Sequence, residues 1–72
     1  MNTLEAIKIG SKLLKEKKIP THILDSELLL SKTLNKSREE ILVNLDKKVD
    51  QNQIFIFQEY LNRRSKNEPI AY

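Results

Sequence analysis

A few side chains in this 72-residue sequence have types and spacings that invite chemistry. Glu39-Glu40 is an acidic pair of the kind that shares general acid and base work. Adjacent helix positions, however, face about 100° apart, and Ser37 three places before Glu40 gives that glutamate a capping task instead. His22 is the single histidine, and with no cysteine in the chain it lacks the partners for a convincing zinc centre. Lys8, Lys12 and Lys15, extended by Lys17 and Lys18, form a line that either tracks phosphates or an acidic protein surface, or simply keeps a small bundle solvated. In Arg63-Arg64-Ser65-Lys66 two arginines suit a helix end or a forked carboxylate or phosphate contact. Helical spacing turns Arg64 inward and Arg63 outward. Phe55 falls on the polar side of its helix, as a contact residue or as one covered by the 46–50 turn. No Gly-rich phosphate turn, cysteine nucleophile or serine–histidine–carboxylate grouping is visible. No catalytic, cofactor-binding or metal-binding residue is therefore assigned, and the candidate partner-binding set is Lys8, Lys12, Lys15, Phe55 and Arg63.

The elements that must position these residues are helical. One glycine, two prolines and abundant Leu, Ile, Lys and Glu predict an all-α fold without a sheet. It is a small orthogonal or irregular bundle of four to five helices over about 4–17, 22–34, 38–44 and 51–66. Thr3 is expected to cap the first helix, whose inward arc is Leu4, Ala6, Ile7, Gly10, Leu13 and Leu14, with Lys8, Lys12 and Lys15 opposite. Gly10 on the buried side signals close approach of a neighbour. Pro20 ends that helix region and Thr21 is expected to cap the second.

The second helix organises the rest. Leu24 and Leu28 fall on one side, Ile23, Leu30 and Leu34 on another and Leu29 on a third, so neighbours should surround it, with Ser26, Ser31 and Thr33 allowing close approach. Asp25 and Lys32 are expected in solvent. Asn35 suits a left-handed helix end. Ser37-Arg38-Glu39-Glu40 and Asp50 with Gln53 are capping boxes that open the third and fourth helices. Ile41, Leu42 and Leu45 should face the core, joined by Ile54, Phe57, Tyr60 and Leu61. The segment from Glu68 to Tyr72 is expected to be extended and to begin a linker, so the domain proper is 1–67.

A chain this short buries only about 60% of its unfolded surface, enough for one domain. Its net charge is +3, with basic ends and an acidic middle. That asymmetry suits an acidic partner or nucleic acid without choosing between them. No apolar run reaches the roughly 20 residues of a membrane span, and no targeting segment is evident. A cytoplasmic monomer without membrane contact is expected.

In order along the chain, Leu24-Asp25-Ser26-Glu27-Leu28-Leu29-Leu30, Ser37-Arg38-Glu39-Glu40-Ile41-Leu42, and Arg63-Arg64 followed by Glu68-Pro69-Ile70-Ala71-Tyr72 carry a resemblance. The chain resembles the N-terminal helical domain of the HemK/PrmC family of release factor glutamine methyltransferases. Ser26 stands where that family usually has alanine, and Asn67 where it usually has glycine. The resemblance implies a following catalytic domain that binds S-adenosylmethionine and methylates the glutamine of the Gly-Gly-Gln loop in class 1 peptide-chain release factors. Its Asn-Pro-Pro-Tyr motif and Gly-rich cofactor loop would lie beyond Tyr72, so neither chemistry nor a cofactor is expected in this stretch. Its implied partners are the release factor and its own catalytic domain. The alternatives are a small basic nucleic-acid-binding domain and a stand-alone interaction module. Nucleic acid is the weaker of these readings, because the fourth helix presents Phe55, Glu59 and Asn62 outward among few cations.

Overall fold

The computed structural model describes residues 1–66 and holds four helices, α1 (Thr3–Glu16), α2 (His22–Leu34), α3 (Arg38–Leu42) and α4 (Gln51–Ser65). The expected all-α bundle is therefore present, with α3 two residues shorter than expected and the other bounds within a residue. The expected linker from Glu68 onward, and Asn67 before it, lie outside the described residues.

Local signals set most helix ends. Ser37 accepts from the Glu40 amide while Glu40 returns the bond to the Ser37 amide, and Asp50 and Gln53 do the same at the start of α4. Asn35 is left-handed (φ 54°), with the Lys36 amide donating to the Ser31 carbonyl at 3.0 Å. The end of α1 has the same form. Lys18 is left-handed (φ 61°), and the Ile19 amide reaches back to the Leu14 carbonyl at 3.1 Å. Ile19 is thereby folded under the helix end and buried, as the Schellman arrangement favours.

Two expected caps are corrected. Asn2, not Thr3, caps α1 in a capping box with Glu5. Thr3 is buried instead, its amide and its hydroxyl both donating to the Lys47 carbonyl at 2.8 and 3.0 Å. The Leu4 amide donates to the Leu45 carbonyl at 3.0 Å and the Val49 amide to the Met1 carbonyl at 2.9 Å. The connector between α3 and α4 thus supplies carbonyls to the first turn of α1, where amides lack intrahelical partners. Thr21 makes no side-chain cap; its hydroxyl donates to Asp25 Oδ2 at 2.9 Å.

As expected, α2 is the hub, packed on α1, α3 and α4. Leu29 and Leu30 are buried with Ala6, Ile7, Leu14, Ile41, Phe57 and Leu61, joined by Ile19 and Val49 from connectors. Ser26 is fully buried and donates to the Ile7 carbonyl at 2.8 Å, beside Gly10 of α1. Two expectations for α2 are overturned. Its first turn is not enclosed, since Ile23 is 57% and Leu24 41% exposed. Asp25 is not in solvent: it is only 5% exposed and accepts from Arg64 Nε of α4 at 3.0 Å. The physical reason lies along the helix rather than around it. Ile23 shares a face with buried Leu30 and Asp25 a line with exposed Lys32, so it is at the first turn of α2 that Arg64 reaches Asp25 while Ile23 and Leu24 stay largely open. Lys32 does stay exposed, with its ammonium 4.8 Å from the centre of the Tyr60 ring. On α1, Leu4 and Leu13 of the expected inward arc lie at its exposed margins.

Candidate interaction surface

Helix α1 carries Lys8, Lys12 and Lys15 at intervals of four and three residues, which sets them on one face about 10 Å long. All three side chains are exposed, and among the described residues none forms an ion pair. They border an open groove of about 460 Å³ between α1 and α2. Leu4, Ile7 and Ile23 give that groove its apolar lining, and Ser11 and His22 its polar one. Ser11 Oγ and His22 Nδ1 share a 2.7 Å hydrogen bond that joins the two walls. Glu27 is the acid at the groove's edge, and Arg38 Nε holds it at 2.7 Å. Its charge is thereby countered from α3, and the lysine row is left without compensation inside the groove.

The structure separates the other two candidates from this row. Phe55 is 63% exposed on the outer side of α4, uncovered by the 46–50 turn, and neither it nor Arg63 lines the groove. Arg63 is exposed in the last turn of α4, while Arg64 turns inward to Asp25, as the helical spacing indicates. Sequence reasoning misses Leu4 and Ile23 as groove residues. Both fall on apolar arcs, and an apolar residue at the margin of an arc reads the same whether a neighbour covers it or stops short.

Glu39 is exposed, and Glu40 is committed to the cap of α3. The hydrogen bonds from the Ser37 amide and hydroxyl hold the Glu40 carboxyl below a glutamate's ordinary value of 4.5, aided by nearby Lys36. Among the described residues no three His, Cys, Asp or Glu side chains come together as metal ligands, and no helix is long and apolar enough to cross a membrane.

The fold places the chain among small all-α bundles. Its residues 5–72 match the family model described as the PrmC N-terminal domain, and the chain belongs to that family. It is 36% identical over 69 residues to the release factor glutamine methyltransferase of Leptospira interrogans, an overlap covering 96% of this chain and 24% of that protein. The release factor glutamine methyltransferase of Clostridium acetobutylicum is 31% identical over 72 residues, which is 100% of this chain and 25% of that one. A bifunctional methyltransferase of Rickettsia felis is 43% identical over 49 residues, covering 68% of this chain and 9% of its own length. The chain thus spans about a quarter of the release factor glutamine methyltransferases that it matches. No solved structure matches it.

Proposed function

We propose that residues 1–67 are the substrate-recognition domain of a cytoplasmic protein-(glutamine-N5) methyltransferase, and that residues 68–72 begin the linker to its catalytic domain. The observation that carries this reading is the match over residues 5–72 to the PrmC N-terminal domain, at about a quarter of the length of relatives named for release factor glutamine methylation. The domain grips a class 1 release factor away from the Gly-Gly-Gln loop and does no chemistry itself. Lys8, Lys12, Lys15, Phe55 and Arg63 are its contact residues, toward the release factor or toward the catalytic domain.

The methyl donor, S-adenosylmethionine, belongs to the catalytic domain. Residues 1–66 do not fit it: the chain's one glycine, Gly10, is packed beneath Ser26 and Phe57 rather than cradling a ligand. What this domain supplies is position. A three-residue target offers little surface for binding, so a second contact on the same polypeptide raises the local concentration of the glutamine at the reacting centre.

Removing residues 1–66 from the full-length enzyme tests the proposal. The expected result is a fall of about tenfold or more in kcat/KM for intact release factor, with turnover of a free Gly-Gly-Gln peptide retained. The Phe55→Ala, Lys12→Ala double variant should weaken release factor binding in the same direction. Equal activity of the truncated and complete enzymes on intact release factor would dispose of the recognition role.

A further inference from the structure

We infer that the α1–α2 groove is the seat for an acidic amphipathic helix of the release factor; this rests on the recognition role proposed above and narrows it to one surface. Charge comes first. Lys8, Lys12 and Lys15 have no ion-pair partner among the described residues, while Glu27, the acid of the same groove, is already held by Arg38 at 2.7 Å. On α1 itself Glu5 is engaged at the helix cap, accepting from the Asn2 amide at 2.9 Å. The groove therefore presents three positive charges over two helical turns, and its acid, Glu27, is already paired with Arg38.

Shape and polarity then choose the occupant. Ile23 is 57% exposed and Leu4 38% exposed, and they stand beside the lysines with Ile7 buried beneath. A ligand that only neutralised the lysines would leave this apolar lining wet. A nucleic-acid backbone has that shortcoming, since phosphates and sugars bring little to cover Leu4 and Ile23 and three lysines make a small phosphate footprint. A helix with carboxylates spaced over two turns and one or two apolar residues on the adjoining line satisfies both requirements, laid into the groove as helix-in-groove recognition does. The hydrogen bond between Ser11 and His22 ties the walls together at 2.7 Å, so the groove is formed before the partner arrives. Preformed walls lower the ordering cost of binding. Phe55 and Arg63, outside the groove, are left for contact with the catalytic domain.

The test measures the Kd of the full-length enzyme for intact release factor as salt is raised, for the unaltered protein, for the Lys8→Glu, Lys12→Glu, Lys15→Glu triple variant and for Ile23→Asp. All of these substitutions are at exposed positions, and thermal melting checks that each variant stays folded. The groove predicts a Kd raised about tenfold or more by the triple variant, a flattened salt dependence, and a separate loss in Ile23→Asp that salt does not mimic. Lysines placed at the acidic positions of the release factor helix should restore binding to the triple variant. If truncation of residues 1–66 weakens binding but the triple variant and Ile23→Asp do not, the groove is the wrong surface and the recognition role stands. If truncation has no effect, the recognition role fails and the groove with it. If the unaltered enzyme binds duplex RNA with a steep salt slope that the triple variant abolishes, and release factor affinity is unmoved, the occupant is nucleic acid and the inference is overturned.

Discussion

Gly10 sets how closely α1 and α4 approach through the side chain it lacks. A Cβ there would press on Ser26 Oγ and stand 2.8 Å from Phe57 Cζ and 3.1 Å from Leu61 Cδ2. Ser26 cannot simply turn away, because its hydroxyl donates to the Ile7 carbonyl at 2.8 Å. Gly10→Ala would gain up to about 1 kcal/mol of helix propensity but incur overpacking of about 1–3 kcal/mol, so a net destabilisation of about 1 kcal/mol is expected by urea denaturation. Adding Ser26→Ala should recover part of that loss in a double-mutant cycle. The role of Gly10 was legible in the sequence, since a glycine costs a helix stability and its place on the buried arc points to a neighbour that needs the room. Asp25 was not legible. A carboxylate on a helix reads as solvated unless its partner is known, and Arg64 lies 39 residues away in sequence.

Helix ends were legible where the signal is local and lost where the tertiary structure competes for the same residue. Ser37 with Glu40 and Asp50 with Gln53 are read from spacing alone, and both boxes form as expected. At α1 the cap lies one residue earlier, at Asn2, because the Lys47 carbonyl takes the Thr3 amide and hydroxyl, a pairing that nothing near Thr3 announces. Ile19 and Val49 are buried from connectors, where no periodicity exists to mark them. The cap of α3 carries a pH prediction. Its hydrogen bonds lower the Glu40 pKa in the folded protein, so the charged carboxylate favours folding above the ordinary 4.5 and that contribution drains away as pH falls through the lower folded value. Glutamine at this position keeps the reciprocal bond to the cap without titrating. Glu40→Gln should therefore narrow the gap between the melting temperature at neutral pH and that below pH 4.5, measured by circular dichroism against the unaltered chain. An unchanged gap would mean that the box contributes no pH dependence.

The whole molecule closes on itself through α2, and the buried pair at its first turn decides how firmly. Asp25 Oδ2 receives the Thr21 hydroxyl at 2.9 Å and Arg64 Nε at 3.0 Å, which ties the start of α2 to the end of α4. The same turn of α2 carries His22 and Ile23 on the groove wall, so the tie also holds that wall in place. Breaking a buried pair from one side costs about 3–5 kcal/mol, and Arg64, whose side chain is 21% exposed, can recover some hydration. Asp25→Ala should destabilise the domain by about 2–3 kcal/mol in urea denaturation, and Asp25→Asn, which keeps an acceptor without the charge, by less. The cycle with Arg64→Ala should show a coupling of about 1–3 kcal/mol, and a coupling of zero would mean that the two side chains are neighbours without being partners. Under the recognition role proposed above, any loss of release factor affinity in a still-folded Asp25→Ala variant would arise from a displaced wall, because Asp25 is buried away from the groove. Asp25→Asn, by keeping Thr21 and Arg64 hydrogen-bonded, should restore most of that affinity, which a directly contacting carboxylate would not allow.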